Sequence, residues 1–341
     1  MALPLAFGRH DPQAVTARLS YASFVSTRHR LLFVETPKAC SSTMKWVLAE
    51  LTGTEVALQL AEDTTELSGC IHDRQAHTLP ALTDLPADLA QEVLESPDYL
   101  RVCAVRNPFA RLISAWADKI RLIEPGFEEP CREALKHAGR EGANDAPTFK
   151  EFANWVVDTN DPTNCDPHWQ SQTALTFPEL IDYNYILRAE SFEQDLQGLL
   201  APLDPGWRDN AIARIRANTH NVSLPPKWSE TYDEDLAGRV AEFYGPTFER
   251  FGYSRDSWRS LVARPDPDPA IVASAALRAV RARNAVISEW NRRQPIRQVR
   301  AANWSATRLA KAAARWLIRR FSAGSSSAKV RSAPSGTKTG S

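Results

Sequence analysis

The segment TPKACSST, from Thr36 to Thr43, places a lysine and three consecutive hydroxyl residues directly behind the apolar run LLFVE. If that run is a strand and a helix starts at Ser41, the lysine, the hydroxyls and the free amides of the first helical turn converge on one point. The positive end of the helix dipole faces the same point, so the arrangement suits a phosphate or a sulfate. It is not the GxxxxGKS/T phosphate loop, because Lys38 comes early, after Pro37, and the loop holds no glycine. Taken alone, the segment also fits an ordinary strand-to-helix turn capped by a serine. A second segment, LRVCAVRNPFARLISAWADKI, favours the anion. Its apolar strand ends at Arg106, turns at Asn107–Pro108 and enters a helix that carries Arg111, Ser114 and Lys119. An arginine at the carboxyl end of a parallel strand lies on the edge where open α/β sheets bind ligands, and its planar fork suits a phosphate. Ser114, about one turn beyond Arg111, adds a hydroxyl to the same anion, whereas Arg111 reads as structural and Lys119 as facing solvent. Two anion sites at two strand ends imply a ligand with two separate anionic groups.

The elements that must position these residues are legible as short β-branched or aromatic runs at Leu31–Glu35, Leu100–Val105 and Tyr183–Ala189. Helices are expected between and after them, at Ser41–Leu51, Phe109–Ile123 and Ser191–Leu200, and a long amphipathic helix at Asp233–Phe251 closes the domain. The aromatics Phe243, Tyr244, Phe248, Phe251 and Tyr253 have the spacing of core residues. Strands alternating with helices predict an α/β fold with a central, mainly parallel sheet flanked by helices. The chain's 341 residues are 43% apolar and 24% charged, which excludes a fibrous repeat or disorder throughout. No apolar run is long enough for a membrane span, and the opening MALPLAFGRHD lacks the basic lead of a signal peptide, so the expected location is the cytoplasm. Five cysteines without a CxxC pair suggest reduced thiols rather than a disulfide framework or a zinc site, and no metal-site spacing occurs elsewhere.

In order and content, TPKACSST and RNPFARLISAWADK resemble the 5′-phosphosulfate loop and the 3′-phosphate motif of sulfotransferases that use 3′-phosphoadenosine 5′-phosphosulfate (PAPS), in particular the carbohydrate sulfotransferase type. IHDRQAHTL (Ile71–Leu79), DPHWQSQ (Asp166–Gln172), IDYNYILRAESFEQDL (Ile181–Leu196) and FYGPTFERFGY (Phe243–Tyr253) follow in the same order, so the resemblance spans Leu31 to Tyr253. Two departures stand out. ACSS occupies the place of a frequent glycine, and Thr247 stands where an aspartate is common.

The resemblance implies a P-loop-like three-layer fold and transfer of a sulfuryl group from PAPS to a hydroxyl of a carbohydrate or glycolipid, leaving adenosine 3′,5′-bisphosphate (PAP), with no metal ion. Such a transfer is an in-line displacement that needs a cation at the leaving phosphate, a cradle for the donor and a base for the acceptor hydroxyl. Lys38 is the expected cation. Pro37, Ala39, Cys40, Ser41, Ser42 and Thr43 form the cradle with it, and Arg106 and Ser114 hold the 3′-phosphate. The base must be neutral near pH 7, which favours histidine. His72 matches the family position that faces the acceptor, His77 could exchange roles with it, and His168 lies in a segment resembling the acceptor side. Trp169 beside it fits either a sugar-stacking face or a packing anchor. Glu190 is expected to cap a helix or to pair with Arg188. Two other classes stay open at this point: an ATP-dependent phosphotransferase, and a non-catalytic binder of an anionic glycan or nucleotide.

The zero net charge conceals two opposed halves. From Pro265 onward there are 15 Lys/Arg against 3 Asp/Glu, a net +12, which leaves −12 for residues 1–264. Residues 1–264 are read as the catalytic domain, 265–321 as a basic helical extension behind the linker ARPDPDPA, and 322–341 as a disordered tail. On a helical wheel Arg308, Lys311, Arg315 and Arg319 form one stripe, and Leu309, Ala313, Trp316, Leu317 and Phe321 lie opposite. Such a helix suits a peripheral contact with an anionic membrane surface, with docking on the acidic domain or a nucleic-acid contact as the competing readings; no nucleic-acid partner is expected.

Overall fold

A computed structural model describes residues 3–52, 71, 74, 77–121, 123–124, 126–201 and 231–260. Four strands form one sheet in the order β1 (Ser23–Ser26), β2 (Leu31–Val34), β3 (Leu100–Val105) and β4 (Tyr185–Arg188). β1 pairs antiparallel with β2, while β2–β3 and β3–β4 are parallel, so the carboxyl ends of the three later strands lie on one edge. The fold is mixed α/β with a mostly parallel sheet, as expected, and three of its strands lie where their sequences predict.

β2 is apolar at every position because both faces are covered. Leu31 and Phe33 pack with Val102, Ala104 and Leu187 against α2 (Ser41–Thr52) and α8 (Phe192–Leu200). Leu32 and Val34 face the other way, against α1 (Pro12–Ala22) and α3 (Ala87–Glu95). β1 is an edge strand that the sequence reading did not anticipate. Its exposed side is blunted by Val25 N–H bonding to Pro80 O, and by Ser23 Oγ accepting from Leu82 N–H.

A separate helical core packs α4 (Pro108–Ala115) against α5 (Glu128–His137), α6 (Phe149–Thr159) and the helix Glu234–Phe243, with Trp169 among them. α7 (Gln172–Thr176) precedes β4. Two helices differ from expectation. The segment Phe109–Ile123 is α4 followed by a π-helical turn, Trp116–Ile120, closed by Arg121 N–H on Trp116 O at 2.8 Å. The single helix expected at Asp233–Phe251 is two, Glu234–Phe243 and Gly245–Phe251, broken at Tyr244 because Pro246 cannot donate to the preceding turn. Its aromatics are core residues all the same: Tyr244, Phe248 and Phe251 are buried, and Phe243 and Tyr253 partly so.

Among the described residues no helix is long and apolar enough to cross a membrane. The basic extension 265–321, the tail 322–341 and His72 lie outside the described residues.

Candidate active site

The loop between β2 and α2 turns tightly. Ala39 N–H bonds to Thr36 O at 3.2 Å, and both Lys38 (φ 68°) and Cys40 (φ 59°) take the left-handed conformation that glycine adopts most easily. Strain of this kind costs on the order of 1–3 kcal/mol per residue and persists where surrounding structure enforces it, typically at functional sites. Cys40 therefore does the work of the glycine that the resemblance leads one to expect. Ala39 is buried in the core, so it can offer a ligand only its backbone. Ser41 is buried at the start of α2, and Ser42 and Thr43 are half-buried beside it. Thr36 is fully buried, and its Oγ1 has no hydrogen-bond partner among the described residues. Beneath the loop Lys45 Nζ and Glu35 Oε2 form a buried ion pair at 2.6 Å.

Arg106 follows the last residue of β3, on the same edge as the loop. Its Nη1 donates to Lys38 O at 3.2 Å, which brings the two predicted donor cations together. The backbone of Arg106 is clasped by the Gln172 side chain: Arg106 N–H donates to Oε1 at 2.8 Å, and Nε2 donates to Arg106 O at 2.7 Å. The next residue, Asn107, caps α4 by accepting from Phe109 N–H and Ala110 N–H, ahead of Pro108 at the first helical position. Glu190 neither pairs with Arg188 nor caps a helix. It accepts Asn107 N–H at 2.7 Å and Tyr253 O–H at 3.0 Å, which ties the end of β4 to the end of β3. Ser114 is buried on α4 and makes no contact with Arg106 among those the structure shows.

Arg111 is a staple. The residue is 2% exposed, and its guanidinium donates to three backbone carbonyls: Pro37 O at 2.9 Å, Gln170 O at 2.7 Å and Pro167 O at 2.7 Å. Burial pushes its pKa down to about 10, still far enough above neutrality to keep it a cation. One side chain on α4 thus fixes the residue before Lys38 and both flanks of His168, and the structural reading of Arg111 acquires a purpose.

Lys38 and Lys119 are not solvated. Lys38 Nζ lies 2.8 Å from Asp118 Oδ2, Lys119 Nζ lies 3.3 Å from the same oxygen, and Lys119 also donates to both oxygens of Glu124 at 2.7 and 2.9 Å. Burial lowers the Lys38 ammonium below the usual lysine value, with Asp118 opposing and Lys119 and Arg106 reinforcing the shift. Burial would raise the Asp118 carboxyl, but Lys38 and Lys119 outweigh it and hold the group well below the usual carboxylate range. Asp118 escaped the sequence reading. Its only signal there is the pair Asp118–Lys119 closing the segment that starts at Arg106.

Among the histidines, His168 is oriented as a proton acceptor needs to be. Asp166 Oδ1 lies 2.7 Å from its Nδ1 and also accepts its backbone N–H at 2.9 Å. Placing the proton of a neutral ring on Nδ1, towards the carboxylate, leaves Nε2 as the lone-pair nitrogen. The ring meets Phe127 edge-on at 5.3 Å, and Lys119 Nζ stands 5.5 Å from the centre of the same Phe127 ring, so His168 and the Lys38–Asp118 pair share one region. His77 is buried, with Phe24 at 6.0 Å and its Nδ1 accepting from Leu79 N–H, so its ring belongs to the core. Trp169 is 1% exposed and boxed in by Phe127, Phe152 and Trp155. It is a packing anchor and offers no face to a sugar.

A profile of the sulfotransferase family matches residues 21–254, which span every element of the site. Human carbohydrate sulfotransferase 8 is 32% identical over 256 residues, covering 71% of this chain and 58% of its own length. Human carbohydrate sulfotransferase 9 is 28% identical over 252 residues (68% and 53%), and zebrafish (Danio rerio) carbohydrate sulfotransferase 14 is 31% identical over 242 residues (67% and 61%). The chain thus spans between half and two thirds of the length of these relatives. No solved structure matches the chain significantly.

Proposed function

The chain belongs to the sulfotransferase family, and on that premise we propose that it transfers a sulfuryl group from PAPS to a hydroxyl of a carbohydrate or glycolipid acceptor. The observation that carries the reading is the meeting of Lys38 and Arg106 at the carboxyl edge of the sheet, joined by the 3.2 Å hydrogen bond from Arg106 Nη1 to Lys38 O. A donor with separate 5′-phosphosulfate and 3′-phosphate groups needs two such cations at two strand ends, whereas ATP carries its phosphates in one chain. The loop's buried Thr36 hydroxyl, without a partner among the described residues, supports the fit, since a buried polar group gains from an oxygen to bond.

In this reading Lys38 faces the bridge to the leaving phosphate and stabilises the charge that builds there. Ser41, Ser42 and Thr43 with the first amides of α2 cradle the phosphosulfate, and Arg106 and Ser114 hold the 3′-phosphate. His72 takes the acceptor's proton, and His168 lines the acceptor side with its ring fixed by Asp166. The acceptor class comes from the relatives' names, which specify carbohydrate.

A thermal-shift titration with PAP, ATP and ADP tests the donor. PAP should raise Tm at concentrations where ATP does little, because a ligand at free concentration L that binds only the native state stabilises it by RT ln(1 + L/Kd). Preference for ATP would overturn the reading.

A further inference from the structure

Asp118 owes its place to an irregularity. The π turn Trp116–Ile120 adds one residue to the helical circuit after α4, and such turns are frequent at functional sites. Two consecutive residues of this turn, Asp118 and Lys119, both reach the Lys38 ammonium's surroundings. The result is a row of alternating charge, Lys38–Asp118–Lys119–Glu124, with contacts of 2.8, 3.3 and 2.7 Å. Lys38 and Lys119 are 13% and 15% exposed, while the two carboxylates are 37% and 39% exposed. The cations are therefore the more buried members of the row, and the anions the more exposed.

We propose that Asp118 is the positioning residue of Lys38: it sets where the ammonium stands, keeps it charged, and hands it to the donor. The proposal rests on the sulfotransfer reading of the site. Lys38 is faced by Asp118 and Lys119 from the π turn and by Arg106 from the end of β3. Of these groups only Asp118 is negative, so without it a desolvated ammonium beside two other cations would hold its proton less tightly and lose the anion that fixes its place. Lys119 makes the handover possible. When Lys38 turns to a phosphosulfate oxygen, Asp118 keeps Lys119 as its partner, and neither buried cation is left without an anion, a condition that otherwise carries a heavy penalty. Glu124 fixes Lys119 from the far side, and Asp166 feels the same lysine at longer range.

The test uses the full-length chain and its Asp118→Asn and Asp118→Glu variants, with two readouts. The first is the rate at which acetic anhydride acetylates Lys38, followed by mass spectrometry against pH; only the neutral amine reacts, so the midpoint reports the lysine's protonation. The second is PAP affinity alongside PAPS consumption with a panel of 4-nitrophenyl glycosides. Asp118→Asn should move the Lys38 midpoint down by about one pH unit or more and cut PAPS consumption by about tenfold or more, with PAP affinity within about threefold of the parent. Asp118→Glu should restore most of both. An unchanged midpoint in Asp118→Asn would overturn the proposal, as would a collapse of PAP affinity with the midpoint in place. A parent chain that neither binds PAP nor consumes PAPS would sink the sulfotransfer reading, and the acetylation midpoint would still decide whether Asp118 governs Lys38.

Discussion

Lys38 and Arg106 touch one another, and on the sulfotransfer reading their tasks would be separable, because what each contributes would depend on when in the reaction charge appears. Arg106 would meet a 3′-phosphate that carries its full charge from the moment of binding, so Arg106→Ala should weaken PAP binding by about 1.5–3 kcal/mol, measured calorimetrically. Lys38 would meet charge that grows only as the S–O bridge breaks, so Lys38→Ala should lower turnover much more than PAP affinity. Equal effects of the two variants on affinity and turnover would contradict this division. The strand ends that carry these cations were legible in sequence because each follows a short β-branched apolar run bounded by turn residues. Asp118 was not, because its position depends on a π turn that no local pattern announces. Nor could sequence tell that Trp169 is buried, since its neighbours His168 and Gln170 are polar and the rings that enclose it come from α6 and the loop before α5.

At the scale of elements, the site is a set of joints between segments remote in sequence. Arg111 binds the β2–α2 loop to the Pro167–Gln170 turn, Gln172 clasps the end of β3, and Glu190 ties the end of β4 to Asn107 just beyond β3. Replacing Arg111 with methionine keeps much of the volume but leaves a buried side chain without its polar group and three part-buried carbonyls without their donor. It should cost on the order of 3–5 kcal/mol in urea unfolding, and Arg111→Lys should recover little, because one ammonium cannot reproduce a planar fork. Stability within about 1 kcal/mol of the parent would show that the guanidinium is not a staple. These joints explain the uneven legibility of the fold. Strands β2 and β3 and helices α2 and α8 carry their own apolar pattern, whereas β1 is four residues of an edge strand with serine at both ends, which periodicity alone does not distinguish from a loop. The break at Tyr244 had a readable signal in Gly245–Pro246, but the amphipathic pattern runs on through both helices and hides it.

For the whole molecule the open question is how a domain of net charge −12 works with an extension of net charge +12. The acidic domain should disfavour densely sulfated polyanions, which points to an acceptor with little charge of its own. If residues 265–321 form the two-faced basic helix that their sequence predicts, attachment to an anionic bilayer would combine insertion of Trp316, Leu317 and Phe321 with attraction between arginines and headgroups. Salt weakens only the second contribution, because screening acts on charge and not on apolar transfer. Every described residue of the site lies before Arg264, so truncation there should leave PAP binding unchanged while abolishing sedimentation with phosphatidylserine vesicles and slowing sulfation of a bilayer-borne acceptor relative to a soluble one. Equal vesicle binding by the full-length and truncated chains at low salt would exclude the anchor. A fall in Tm on truncation, with no loss of vesicle binding, would instead assign the extension to the acidic face of its own domain, where the same arginines would find carboxylates in place of lipid.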